Sequence, residues 1–487
     1  MSTQADLGTV TLSLISHTNV GKTTLARTLL RRDVGEVADQ PHVTDVSEAH
    51  TLIETEDGLC LRLWDTPGFG DSAHLLKRLK SLDSPIGWFL AQVWDRYRDR
   101  PKWCSQQAVR NIQDDADIVL YLVNATEDPA TAGYVGLEMQ ILEWIGKPVI
   151  VLVNQMGPPR EAAREQADIG RWRTALEKYQ VVRETLALDA FARCWVQEGQ
   201  LLDVVEELLP EAKRPAQVAL SRAWQQRNLA IFHESSRVLA RQIVQAAQDT
   251  EPVEAESWDD KVKAGIGPIL GKEFKSAGQR AMAALNARAN AGIIASTNKL
   301  IALHELEGES AAELLQALRD SFIVAAPVDT TKAAVIGGFV SGALGGLAAD
   351  LAAGGLTLGG GALIGGILGA AGVAGIAKGY NLVRGADHAE IRWSTEVLVT
   401  LLAGALVRYL AVAHFGRGRG AWQDSDAPRF WQDEVEAVLR DNQHRLSQAI
   451  KQAQAGSDAS IDVLDGLIRQ LLEAILMRLH PQARAVF

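Results

Sequence analysis

Cysteine is nearly absent from this chain: three in 487 residues, Cys60, Cys104 and Cys194, far apart and at no metal-ligand spacing. That excludes a disulfide scaffold and fits a reducing compartment and a protein without structural zinc. Positive charge is also short. Lys and Arg number 49 against 60 Asp and Glu, a formal net charge of −11, whereas a nucleic-acid binder clusters Lys and Arg on one face. Arg417-Gly418-Arg419 is too short to change this, so no nucleic-acid partner is expected. The opening residues, MSTQADLGTVTLSL, lack the basic start and apolar run of a secretion signal, so the N-terminus is expected to stay where it is made. Disorder is excluded too, because 47% of the residues are hydrophobic and 22% charged, the balance of a folded chain.

A chain this long exceeds one compact core. Through roughly the first 200 residues, β-branched apolar runs alternate with helical patterns, which predicts a mostly parallel sheet with helices on both faces. The expected strands are Val10–Ser16, Thr51–Thr55, Leu59–Trp64, Ile118–Asn124, Val149–Asn154 and Val182–Leu188. Asp57-Gly58 has hairpin-turn chemistry and makes the second and third antiparallel. An insertion at about 71–116 carries Trp88, Phe89, Trp94, Tyr97 and Trp103; it is either a partner-docking arm or a helix anchored by aromatics. From about Leu209 strand signals stop and helical spacing takes over, in Gln217–Gln248, Gly278–Leu306, Phe430–Gln454 and Ile461–Leu479. Glu251-Pro252 and Ala326-Pro327 break the pattern as candidate joints. The expected division is 1–210 α/β, 211–330 helical, 331–380 glycine-rich and 381–487 helical.

The first strand runs into Ser16–Thr23, SHTNVGKT, and then into a helix, the strand–loop–helix context of a phosphate-binding P-loop. Ser16, Asn19, Val20, Gly21, Lys22, Thr23 and Thr24 are the candidate nucleotide contacts. Loop N–H groups face the phosphates, Lys22 reaches the β and γ groups, and the Thr23 hydroxyl binds Mg2+. Ser16 stands where the motif has its first glycine, which an ordinary backbone conformation would tolerate. Asp65-Thr66-Pro67-Gly68 closes an apolar strand. Asp65 is placed to hold the metal through water, and the Gly68 N–H to sense the γ-phosphate. Thr44, the single threonine between Thr28 and Thr51, is the candidate that closes on metal and γ-phosphate. Lys22, Asn19, Thr44 and Gly68 are the candidate catalytic set, and Thr23, Thr44 and Asp65 the candidate metal set.

With SHTNVGKT, Thr44 and DTPG together, roughly the first 200 residues resemble the TrmE/Era branch of bacterial P-loop GTPases, of the TRAFAC class. The later half resembles the C-terminal domain of unknown function found on some of them. The resemblance implies GTP and GDP as ligands, Mg2+ as cofactor, and hydrolysis of GTP to GDP and phosphate. It implies that Asn19 matches the asparagine with which TrmE-like enzymes hold K+ against the phosphates; the other reading of Asn19 is a brace of the loop.

The sequence departs from the pattern at two places. Guanine is normally read by Asn-Lys-x-Asp, but here the run is Asn154-Gln155-Met156-Gly157, with no carboxylate at its end. Asp189, after the sixth strand, is either a substitute carboxylate or a helix N-cap. Phe69 follows Gly68 where Ras-like enzymes carry the water-orienting glutamine, so hydrolysis should be slow without a partner, a dimer or K+.

Between Lys332 and Lys378 the chain is almost uncharged, with Asp350 its only charge, and Gly338, Gly342 and Gly346, then Gly361, Gly365 and Gly369, recur every fourth residue. This segment reads as a membrane hairpin, as an interface-lying segment, or as glycine-zipped helices in a soluble domain. Val397–Ala413, which contains Arg408, reads as a buried or membrane-adjacent helix. The resulting expectation is a GTPase on the cytoplasmic face of the inner membrane, inserted or peripheral, whose nucleotide state alters membrane association or assembly as a homo-oligomer or with a membrane protein. The alternatives are a low-turnover nucleotide-binding scaffold without guanine specificity and a glycine-zipper membrane or pore protein gated by nucleotide; the alternative location is the cytoplasm.

Overall fold

The computed structural model describes residues 7–17, 20–31, 48–66, 69, 72, 108–156, 160, 162–190, 194–252, 267–306, 380–384, 389–415 and 428–481. Asn19, Thr44, Gly68 and Gly157, almost all of the insertion, and the glycine-rich run lie outside the described residues. The chain divides into two compact units: residues 1–230 with 413–423 and 476–487, and residues 231–412 with 424–475.

The first unit is built on a six-stranded sheet in the order β2-β3-β1-β4-β5-β6, with β1 Thr9–Ser16, β2 Glu48–Glu54, β3 Cys60–Asp65, β4 Ile118–Asn124, β5 Val149–Asn154 and β6 Val182–Ala187. Every pairing is parallel except β2 with β3. The central strands IVLYLVN and VIVLVN are buried on both faces, which is why they read as unbroken apolar runs. Edge strand β2 exposes Glu48, Ala49, Thr51 and Glu54. Its turn to β3 uses Gly58 at φ +80°, a left-handed conformation that costs glycine little.

Helices α1 Lys22–Leu30, α2 Gly133–Ile145, α3 Ala162–Leu176 and α4 Trp195–Leu208 belong to this unit, with a short helical stretch over 108–114 and the first part of α5 Arg214–Gln248. The loops after β1, β3, β5 and β6 all leave the carboxyl edge of the sheet, the crevice where doubly wound folds bind ligands. That common edge brings residues 16–17, 20–24, 65–66, 69, 154–156 and 189–190 together.

The second unit is mainly helical: the rest of α5, then α6 Gly267–Leu303, α7 Thr395–Ala413, α8 Arg429–Asp441, α9 Gln443–Gln454 and most of α10 Ser460–Leu479. The helical span expected over Phe430–Gln454 breaks at Asn442, whose side chain turns back onto the Val438 carbonyl. Helix α7 is long and apolar enough to cross a membrane, yet 72% of its most apolar stretch is buried inside the protein. Within the unit, Tyr409 on α7 meets Phe232 and His304 edge-on at 6.0 and 5.9 Å.

The strand signals do not end at Leu209. Thr250–Pro252 (β7), Tyr380–Arg384 (β8) and Ala389–Trp393 (β9) form an antiparallel sheet in the order β7-β9-β8. Pro252, expected to mark a joint, ends an edge strand, where its missing N–H costs no ladder bond.

Candidate functional site

Gly21 caps α1 at φ +88°, and a Cβ there would come within 2.9 Å of the Asn154 amide nitrogen. Only glycine lets the loop turn and approach β5 this closely. Lys22 and Thr23 then open the helix, so their side chains and N–H groups stand at its positive end. Ser16, fully buried, has no positive φ. Its hydroxyl donates to the His17 carbonyl at 2.5 Å and accepts from Lys22 Nζ at 3.4 Å. The serine in place of the usual glycine therefore touches the lysine it precedes. Burial depresses the Lys22 pKa, while the charges of Asp65 and Glu138 oppose that shift. Val20 and Thr24 are buried beneath the loop.

Asp65 ends β3 and is 3% exposed. Its Oδ2 accepts the Thr23 hydroxyl at 2.7 Å, and its Oδ1 is buried with no hydrogen-bond partner. Burial raises the Asp65 pKa, with Lys22 and the Thr23 hydrogen bond pulling the other way. An orphaned carboxylate oxygen beside a threonine hydroxyl is a donor set that suits a hard divalent cation. Thr23 and Asp65 therefore fit Mg2+, which when bound with a nucleotide neutralises phosphate charge.

Phe69, four residues beyond Asp65, turns its ring inward; it is 0% exposed and belongs to one core cluster with Ile15, Tyr121 and Met139. Its N–H donates to the Ser16 carbonyl at 3.2 Å, in a parallel bridge between His17 and Phe69. The residue after Gly68 thus pins the segment after β3 to the P-loop, and its side chain cannot hold water.

At the end of β5, Asn154 is fully buried and links two loops. Its amide donates to the Val20 carbonyl at 2.7 Å, and its oxygen accepts the Ala190 N–H at 2.8 Å. The asparagine therefore ties the P-loop to the loop after β6. Gln155, at φ +57°, accepts the Asn124 amide at 2.7 Å. Asp189 is 4% exposed, and its Oδ2 accepts the Met156 N–H at 2.5 Å. This places a buried carboxylate against the loop that begins where Asn-Lys-x-Asp would.

Motif reading did not reach Glu138, on α2. It is 0% exposed and accepts three hydrogen bonds: from Tyr121 OH at 2.6 Å, from Ser72 Oγ at 2.9 Å, and through His17 Nδ1 at 2.8 Å. His17 also stacks on Tyr134 at 4.0 Å. One buried carboxylate therefore joins the P-loop, the segment beyond Gly68 and strand β4, and places a negative charge near Lys22. Burial, then the Glu138 charge and hydrogen bond, hold the Tyr121 pKa well above the usual phenol range.

Residues 11–155 match the family described as 50S ribosome-binding GTPase, and residues 328–476 match a domain of unknown function, DUF3482. No curated protein matches the chain. Among solved structures it is similar to Era in complex with MgGDPNP and a 16S ribosomal RNA fragment (18% identity, 42% of this chain, TM-score 0.30), and the match spans 57% of that Era chain. It is also similar to an Aquifex aeolicus Era variant bound to GDP·AlF4− (15% identity, 57% of this chain, 88% of that chain, TM-score 0.30). A third likeness is to a probable GTP-binding protein engB (19% identity, 37% of this chain, 89% of that chain, TM-score 0.23). A mostly parallel sheet, a P-loop behind its first strand and the matched family model agree: the N-terminal part of this chain is an α/β P-loop GTPase domain, followed by a mainly helical region that carries the DUF3482 domain.

Proposed function

We propose that this chain is a slow GTP hydrolase whose nucleotide state governs how its helical part associates with the cytoplasmic membrane face. One observation carries the nucleotide reading: Lys22, Thr23 and Asp65 meet at the carboxyl edge of the sheet, with one Asp65 oxygen left for a cation. Lys22 and the amides at the start of α1 bind the β and γ phosphates and orient them. Thr44 and the Gly68 N–H read the γ-phosphate. Phe69, turned into the core, supplies no group to position water, so turnover needs help from a partner, a second copy of the chain, or K+ held by Asn19. Asp189 takes over guanine reading from the missing carboxylate at Gly157. The membrane part rests on the apolar, glycine-spaced run between Lys332 and Lys378, and the net charge of −11 gives no support to an RNA partner.

Phosphate release from GTP and from ATP, each in K+ and in Na+, tests the enzymatic reading. Faster release from GTP, and in K+, is expected. Binding without release would favour a nucleotide-binding scaffold, the reading that Phe69 and Gly157 would suit. Fractionation without detergent tests the coupling: the chain should sediment with membranes, and deletion of residues 333–377 should release it. Recovery in the soluble fraction regardless of that deletion would refute the membrane reading.

A further inference from the structure

Cys194, His414 and His480 are far apart in the chain, yet their ligand atoms all lie within 4.8 Å of one another. All three belong to the first unit. Cys194 sits at the N-cap of α4, His414 directly after α7, and His480 directly after α10. Cys194 and His414 are buried and His480 is half-buried. The two imidazoles stack at 5.1 Å with their Nε2 atoms facing at 2.9 Å. The Cys194 backbone N–H is held by the Gln197 side chain at 2.8 Å, fixing the thiol at the start of the helix.

We propose that Cys194, His414 and His480 form a binding site for a borderline divalent metal of the zinc class, with a fourth position left to water or an exogenous ligand.

The chemistry favours this. One thiol and two imidazoles are zinc and cobalt donors, and a hard cation such as Mg2+ has no use for them. A helix N-terminus stabilises the thiolate that such a metal requires. Around a tetrahedral zinc the donor atoms stand roughly 3.3 to 3.6 Å apart, from bond lengths of about 2.0 to 2.3 Å. The facing nitrogens at 2.9 Å would open slightly to reach that spacing, and the widest pair, at no more than 4.8 Å, would close. His480 also lines a cavity of about 250 Å³ whose wall includes Glu165, Glu184, Gln197 and Gln200 beside apolar residues such as Ile169 and Leu186. None of the three ligands belongs to the phosphate site, and a metal there would cross-link three remote stretches of chain within one unit.

Titration of the full-length protein, free of any histidine tag, with Co2+ tests the proposal. One equivalent should bind, with a thiolate-to-cobalt charge-transfer band in the near ultraviolet that Zn2+ abolishes. Cys194→Ser should remove the band, and Cys60→Ser combined with Cys104→Ser should keep it. His480→Gln should weaken Co2+ binding at least about tenfold, the scale on which even outer partners of a metal act. Absence of the band in the parent protein, or its persistence in Cys194→Ser, would show a metal-free packing cluster and overturn the proposal. Should Cys194→Ser not fold, unchanged Co2+ affinity in the half-buried His480→Gln variant would overturn it equally.

Discussion

Replacing Glu138 by alanine removes the one carboxylate that Tyr121, Ser72 and His17 share. His17 is 29% exposed and can turn to water. Tyr121 and Ser72 are 0% and 5% exposed, so their hydroxyls would be stranded. A stranded buried polar group costs about 1–3 kcal/mol, and the cavity left by the lost side-chain atoms adds to that, so about 3–5 kcal/mol of stability should disappear. Glu138→Gln keeps the shape and one acceptor oxygen, for Ser72 and His17, while its amide NH2 faces the Tyr121 hydroxyl, which must turn to accept; the loss of charge assistance and of that acceptor should cost about 1–2 kcal/mol. At about 2–4 °C per kcal/mol for a unit of this size, the alanine variant should melt roughly 6–20 °C below the parent and well below the glutamine variant. Calorimetry can follow the right transition, namely the one that Mg·GDP raises by mass action. Alanine and glutamine variants melting together would show that the three hydrogen bonds do not hold the P-loop, and would refute the reasoning.

Asn154→Ala breaks the tie between Val20 and Ala190; it should cost about 2–4 kcal/mol, and calorimetry showing a loss below 1 kcal/mol would contradict that role. Gly21→Ala forces a left-handed alanine, at about 1–2 kcal/mol, into contact with Asn154, so calorimetric titration should find Mg·GDP affinity down on the order of tenfold. Asp189→Asn should lower the preference for GTP over ATP on the order of tenfold to a hundredfold, read by competition against labelled GDP; an unchanged preference would return Asp189 to a structural part. In the second unit, Arg408 is 4% exposed, with burial pushing its pKa down to about 10, and it donates to Gln242 at 2.9 Å. Ser296 also donates to Gln242, so Arg408→Met should leave urea stability unchanged or raised, and a loss above 2 kcal/mol would reveal a charge partner for the guanidinium.

Particular residues show why some of this was legible in the sequence. Parallel strands buried on both faces read as apolar runs, so β4 and β5 announce themselves, and Asp57-Gly58 announces the antiparallel pair of the first sheet. That Lys22, Thr23 and Asp65 would meet was readable because each closes a strand or opens a helix at the carboxyl edge of the sheet within a recognisable local run, SHTNVGKT and DTPG. Glu138 was not, since a glutamate within GLEMQILEW looks like part of a solvated face and its partners come from distant elements. The Cys194, His414 and His480 cluster is hidden for the same reason, its spacing existing only in three dimensions. Phe69 looked like a missing glutamine; the packed ring shows an anchor for the segment after β3. The small β7-β9-β8 sheet escaped because each strand is too short for its alternation to stand out, and Pro252 looked like a breaker.

The central claim is that the loop around Lys22 grips a triphosphate whose metal is held by Thr23 and Asp65. Calorimetric titration of the full-length protein with Mg·GTP, set beside the Lys22→Ala variant, tests it most directly. Saturable binding by the parent that is lost in the variant is the predicted result, and equal binding by the two would contradict the account.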